Sequence, residues 1–598
     1  MLLAERGHDK MGFQFYFTGL MMVESNTSKF KFVEPRSTIE VQLPDERVIS
    51  GPRGAQIREF FSLIQESNLP PIVGAIVDGQ LRELTYRVEM DAHARPVTMG
   101  EPDGMRIYRR SLTFLLETAF NDLYPSINLR IDHSVSSGGY YCHITGRPPL
   151  SANELAEIEE HMREYVAEDI PFNRMEVPLQ EAIDFFKTEG AEEKVRLLIH
   201  RKKNYLTLYS LKDHRDYHHG YMVPSASYLK WFALTLTGEG LTLRFPRRHA
   251  PTELLAPPSY PTLLSTFRQY GRWLDRLGIA SVGALNDAIQ ESRSREIILV
   301  SEALHEQRVS EIAAQIAKFS KHLRIIFIAG PSSSGKTTFS KRLSVQLLAR
   351  GVTPYTLGMD NYFIDRDKTP LDENGELDFE SIDALNHARL SHDVQRLIAG
   401  ETVQLPHFDF VSGTSAPGEA VKLSSREIII LEGIHGLNPA LLSDIDTQHT
   451  FRIYVSALTQ LNLDSQNRIS TTDTRLIRRI VRDARERGYN AQQTINRWES
   501  VRRGEKRYIF PFQENADLMF NSALLYELSV LKPLVEPLLR QVRYGTQEYV
   551  EAKRLIALLE WFLPLETDLI PDNSILREFI GDSILKHFKL WQNHNSGH

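Results

Sequence analysis

Residues 330–337 read Gly-Pro-Ser-Ser-Ser-Gly-Lys-Thr, a full match to Gly-x4-Gly-Lys-[Ser/Thr]. Glycines let a backbone curl until several N–H groups point at one anion, and a helix that starts there adds the positive end of its dipole. On that pattern Gly330, Ser332, Ser333, Ser334, Gly335 and Thr338 cradle the phosphates of ATP, Lys336 reaches the β- and γ-phosphates, and Thr337 holds Mg2+ through its hydroxyl. The flanks fit this reading: an Ile- and Phe-rich strand at 325–329 precedes, and a helix with Phe339, Leu343 and Leu347 on one face follows, stopping at Arg350-Gly351. The alternative is a chance Gly/Ser-rich turn.

Three further features suit phosphoryl transfer. The apolar segment 355–359 ends in Asp360, and ligands of open α/β sheets sit outside the C-terminal ends of strands. Asp360 is therefore a candidate general base for an acceptor hydroxyl, with a turn or helix-cap aspartate as the plain alternative. Residues 428–432 form an apolar run closed by Glu432, placed to bind Mg2+ through water or to orient the acceptor. Arg475, Arg478, Arg479 and Arg482 recur at three- and four-residue spacing, so their guanidinium groups share one helical face. Such a face can close over a nucleotide as a lid. It can also be a solvated surface, since Arg479/Asp483 and Arg482/Glu486 have i,i+4 spacing.

The elements that must position these groups belong to a long chain. At 598 residues about four domains are expected. A net charge of −7 with 42% hydrophobic residues excludes a disordered chain and a grossly basic nucleic-acid coat. One cysteine, Cys142, excludes an internal disulfide or a multi-thiolate zinc site and suits a reducing, cytoplasmic setting. The apolar stretch 12–23 contains Gln14 and Thr18 and is too short to cross a membrane, so residues 1–36 read as a leader with Met11, Met21 and Met22 as alternative starts.

Alternating and helical patterns predict a small α+β module at 37–100 and a second at 101–246, whose acidic helix opens with the capping box Ser151-x-x-Glu154. Pro251, Pro257, Pro258 and Pro261 mark a linker, and helices at 263–276 and 295–318 make 247–322 a helical connector. From 323 to 545 apolar strands alternate with helices, which predicts an α/β domain on a parallel sheet. Residues 546–598 read as a helical extension able to pack on that domain.

Taken in order, 330–338, Met359 to Phe363, Asp378-Phe379, Phe408-Asp409-Phe410-Val411, Leu431 to Ile434 and Asp473 to Asp483 resemble the uridine kinase and phosphoribulokinase family of P-loop kinases, from about 324 to 543. The resemblance implies ATP- and Mg2+-dependent transfer to a hydroxyl of a small molecule, most simply a nucleoside. It implies Asp360 as base, Arg475 and Arg479 on a mobile lid over the nucleotide, and Tyr362, Phe408 and Asp409 at the substrate. The base-reading segment departs from the family: where Tyr-Asp-Phe-Val-x-His is usual, this chain has Phe408 and Gly413, which loses a hydroxyl and an imidazole. Base recognition should therefore be relaxed or redirected, with His407 either a substitute reader or a loop histidine.

The other half resembles different enzymes. Residues 39–97 look like the small TGS domain, and 104–245 resemble the second additional domain of threonyl-tRNA synthetases, with the fused order typical of a bacterial group of uridine-kinase-like proteins. That synthetase domain edits mischarged tRNA through His-x3-His and Cys-x3-His pairs; the matching positions here are Arg110, Phe114, His218 and Met222. Phenylalanine and methionine do no acid–base work, so editing is not expected and the module reads as a retained scaffold. His214, His218 and His219 invite a zinc reading, against which stands a polar loop without helix or cysteine. The competing function is an RNA- or tRNA-associated ATP-binding regulator, with RNA contact by the N-terminal half. The oligomeric state is not encoded in these patterns.

Overall fold

The computed structural model describes residues 34, 36–66, 69–135, 138–256, 259–373, 375–409, 412–441 and 445–588. The expected leader thus lies almost wholly outside the described residues, as do Ser137, Pro257, Pro258, Phe410 and Val411.

The chain opens with a five-stranded sheet ordered Val48–Pro52, Thr38–Gln42, Ala92–Thr98, Ile72–Val77, Gln80–Arg82. Alternation decides its faces: Ile39, Val41 and Leu43 are buried under the helix Ile57–Phe61, whose Phe60 and Phe61 close a small core. The next unit wraps the helix Pro102–Leu123 with a four-stranded antiparallel sheet, Ala233–Thr237, Gly240–Arg244, Gly139–Thr145, Asn128–Val135. The predicted capping box forms: the Ser151 hydroxyl accepts the Glu154 N–H at 3.3 Å, and Glu154 accepts the Ser151 N–H at 2.8 Å.

From Ile325 the pattern becomes βαβ. Five strands pair in parallel in the order Thr353–Gly358, Glu427–Glu432, Ile325–Ala329, Thr450–Ser456, Leu518–Asn521. Ile328 and Gly358 both sit in register with Glu432. The phosphate loop, Glu432 and the turn holding Asp360 therefore leave the same edge of the sheet side by side. A two-stranded hairpin, Thr402–Asp409 with Thr414–Lys422, stands beside it.

The connector is not a tether. Its helix Ser294–Phe319 lies on Lys336–Leu348, the helix that follows the phosphate loop. Val282–Gln290, a short helix that periodicity did not suggest, is capped by Ser281 and joins one continuous core with Ala182, Leu198, Leu343 and Leu531. Second-module helices Leu179–Thr188 and Glu192–Ile199 thus share a core with the parallel-sheet region, so packing does not stop at the expected boundary near 246.

Arg342, almost fully buried, joins the two layers by donating to Glu306 at 2.8 Å and to Glu302 at 3.5 Å, while the Tyr526 hydroxyl donates to Glu302 at 2.7 Å. Removing one partner of a buried ion pair strands the other charge. Arg342→Met is expected to cost about 3 kcal/mol in denaturant unfolding. A change within about 0.5 kcal/mol, the range of a surface substitution, would show that the connector is not held by this pair.

Candidate active site

The loop backbone enters the left-handed region twice, once at a glycine and once at a serine. Ser333 has φ +57° and Gly335 φ +85°, both left-handed. At Gly330 a Cβ would lie 2.0 Å from the Val455 carbonyl oxygen, so the loop can pass strand Thr450–Ser456 only without a side chain. Among the described residues, Lys336, largely buried, has only the Pro331 carbonyl at 3.3 Å as hydrogen-bond partner, and the buried hydroxyls of Ser333 and Ser334 have none. Orphaned buried donors around a lysine are what a phosphate chain would satisfy.

Two of the loop's backbone donors are met by the chain's own carboxylates. The Ser332 N–H donates to Glu505 at 3.2 Å, and Thr338 donates through its N–H at 3.1 Å and its hydroxyl at 2.9 Å to Glu578. Two carboxylates thus lie at the anion-binding end of the loop helix. Glu505 is fully buried and paired with Arg475, whose Nε donates to the Ser332 carbonyl at 2.9 Å. Arg478, also fully buried, donates to Glu527 at 2.5 Å, to the Ser522 carbonyl at 2.8 Å and to the Ser333 carbonyl at 3.5 Å. Arg479 donates to the Ser332 hydroxyl at 2.9 Å.

This arrangement corrects the two readings of the arginine helix, Thr471–Glu486. Arg475 and Arg478 are neither solvated nor part of an open lid; they are interior struts of the loop, and Arg479 touches its rim. Arg482 and Arg487, further along, are the ones whose charge reaches Asp360.

Asp360 follows the strand Thr353–Gly358 in a single 3-10 turn. Asp360 is exposed to solvent, yet the protein packed around it displaces enough water to raise its pKa, opposed by Lys336, Arg487 and Arg482. Burial likewise pushes Glu432 to about 7, with Lys336 opposing and Asp360 and Glu578 adding to the rise. Glu432 accepts the Thr337 hydroxyl at 3.3 Å, which brings the two expected Mg2+ ligands together. Their chemistry fits a hard cation: one carboxylate and one hydroxyl, with the charges of Asp360 and Glu578 acting on the same point. Glu380, missed from the sequence, adds to that charge; its buried Oε2 has no partner, and burial with Glu505 nearby raises it to about 7.

The substrate-side expectations fare differently. Tyr362 is buried and donates its hydroxyl to Asp393 at 3.2 Å, so it shapes the floor of the turn and offers no free polar group. Phe408 is buried with its ring 5.6 Å from that of Phe363, while Asp409 is exposed at the end of its strand, its carbonyl accepting the Gly413 N–H at 2.7 Å.

In the N-terminal half, helix Pro102–Leu123 and the segment after His214–Asp216 bring the four editing-like positions together. The Phe114 ring packs 5.0 Å from that of His218, Met222 is buried, and Arg110 donates to the Tyr221 carbonyl at 2.6 Å. His218 lies inside, not in a polar loop: it and His214 share the two oxygens of Glu117 at 3.1 and 3.3 Å, and His219 turns away to Trp561. Glu117, Asp216 and His218 are close enough to hold a metal ion, yet Lys194, also buried, pairs with Asp216 and already supplies the cation. The zinc reading loses its electrostatic basis.

Because Glu578 holds the donors that open the loop helix, its removal should free them. Glu578→Ala is expected to tighten nucleoside triphosphate binding about tenfold, the weight of one charge-assisted hydrogen bond. Unchanged affinity in a calorimetric titration would show that the contact does not compete with phosphate.

The profile of the Phosphoribulokinase / Uridine kinase family matches residues 325–527. A possible uridine kinase from Bacillus stearothermophilus is 22% identical, with 36% of this chain and 97% of that one covered at a TM-score of 0.26. The N-terminal region matches the threonine–tRNA ligase of Francisella tularensis subsp. novicida (strain U112), 29% identical over 197 residues. The ligase of subsp. tularensis (strain SCHU S4 / Schu 4) is 28% identical over the same length. These matches cover 33% of this chain but only 31% of the ligases, so the chain spans about a third of the relatives it matches. A phosphoribulokinase/uridine kinase family domain therefore occupies 325–527, joined to a threonyl-tRNA synthetase-like N-terminal region.

Proposed function

We propose that the protein is an ATP- and Mg2+-dependent kinase that phosphorylates a hydroxyl of a small molecule, a nucleoside or a compound of similar size. The observation that carries this reading is Asp360: an accessible carboxylate, made more basic by the protein around it, on the same sheet edge as Lys336 and Glu432. In the step we infer, Asp360 accepts the acceptor's hydroxyl proton as the acceptor oxygen bonds to the γ-phosphorus. The bond from that phosphorus to the β–γ bridging oxygen breaks, and ADP leaves. Lys336 holds the transferring phosphates, and Arg482 and Arg487, whose charge acts on Asp360, offset that of the donor. Thr337 and Glu432 would hold Mg2+, which when bound neutralises phosphate charge. The buried Phe408 and the Ser412-Gly413 turn leave few polar readers for a base, which favours a relaxed acceptor range.

The test is a screen of nucleosides, ribose phosphates and pantothenate-like alcohols with ATP or GTP. Asp360→Asn should lower kcat by about 10²–10⁴-fold with nucleotide affinity little changed. Lys336→Ala should lose nucleotide binding itself. Turnover retained by both variants sinks the proposal.

A further inference from the structure

A cavity of about 270 Å³ lies between the synthetase-like helix Pro102–Leu123 and the kinase-region helix Ala491–Tyr508, away from the loop that takes the nucleotide. Its charge is one-sided. Part of it is accounted for: Arg106 pairs with Glu551 and Arg554 with Asp473, Arg248 pairs with Glu499, and Arg502 with Glu505. Four more cations line the same space, and among the described residues none has a carboxylate partner: Arg109, Arg110, Arg468 and Lys506. Arg110 and Arg468 donate only to the backbone carbonyls of Tyr221 and Ile469. The Nε atoms of Arg109 and Arg468 are buried without any acceptor. Trp498, 6% exposed and lining the cavity, also has a buried indole N–H without a partner.

Uncompensated cations and orphaned donors in one enclosed space are costly unless an anion shares it. We infer that this cavity is a second binding site, for a small molecule bearing two or more phosphate groups. Arginine forks suit phosphate oxygens, and Tyr140 and Trp498 give an apolar wall beside them. The site is wired to the nucleotide loop: Arg502 donates at 3.2 Å to Glu505, the carboxylate that accepts the Ser332 N–H. The free cavity carries the strain in its acid–base state. Burial and the neighbouring guanidinium groups lower Arg109 and Arg110 to about 10, and burial with Arg248 and Arg502 lowers Lys506 to about 7. Among the described residues, the groups facing Lys506 are Arg248, Arg502, Arg109 and His249, with the acid Glu499 opposing them. An anion restores the lysine's proton, so binding should weaken from pH 6.5 to 8.5, and do so less in Lys506→Gln.

The probe is inorganic tripolyphosphate, titrated calorimetrically into the full chain carrying Lys336→Ala so that the nucleotide loop is silenced. One site per chain is expected, weakened at least tenfold by adding Arg109→Gln and Lys506→Gln and retained with Arg109→Lys and Lys506→Arg. Relieved of unpaired charge, the neutral variant should have a higher Tm than its parent without ligand and lose the Tm increase that tripolyphosphate gives the parent. No binding in the Lys336→Ala chain, or binding indifferent to the neutral substitutions, overturns the inference. So does capture of single-stranded RNA in place of tripolyphosphate, which would make the cavity an RNA-end site.

Discussion

Everything in this chain that bears on chemistry depends on how the backbone of 330–338 satisfies its polar groups. A loop bent to bind an anion exposes N–H groups that cannot pair with each other, and burying it leaves carbonyls that need donors. Here the carbonyls of Ser332, Ser333 and Ser334 are met by Arg475, Arg478 and Ser522, while the N–H groups of Ser332 and Thr338 are met by Glu505 and Glu578. The carbonyl side is permanent architecture, since two fully buried arginines with their own glutamates cannot leave without stranding charge. The amide side is exchangeable, because a carboxylate and a phosphate compete for the same donors.

That division assigns work to distant parts of the molecule. The C-terminal segment brings Glu578 to the loop helix, anchored by Lys341 on the carbonyls of Leu585 and Lys586 and by Ile575 against Gly335. Glu505 belongs to a helix whose Trp498, Glu499, Arg502 and Lys506 line the cavity shared with the synthetase-like half. The kinase-region loop is therefore in contact with the C-terminal segment through Glu578 and Ile575, and with the wall of the cationic cavity through Glu505. Fusion with the N-terminal modules is structural as well as sequential: their helices Leu179–Thr188 and Glu192–Ile199 share its largest core.

Much of this was legible in the sequence because it is local. The strand at 325–329, the loop, the Ser151 capping box and the carboxylates closing two strands each follow from neighbours a few residues away. The helical period correctly put the arginines on one face but could not say that the loop itself would lie against it, since that depends on residues about 140 positions apart packing together. Glu505 and Glu578 escaped for the same reason, each coming from a segment with no motif of its own, while Glu380 directly follows the Asp378-Phe379 motif with nothing to mark it as part of the site. A tyrosine in a ligand-side motif likewise carries no sign that its hydroxyl is already used by Asp393, as that of Tyr362 is. The unexpected helix Val282–Gln290 is only 9 residues long, too short for periodicity to stand out.

The central claim is that phosphate takes over donors now held by the chain's own carboxylates. Hydrogen exchange of the full protein with and without a non-hydrolysable ATP analogue and Mg2+ tests it most directly. The account predicts slower exchange across 330–338 together with faster exchange in 574–588, as Glu578 leaves Thr338. Protection of the loop with 574–588 unchanged or further protected would contradict it.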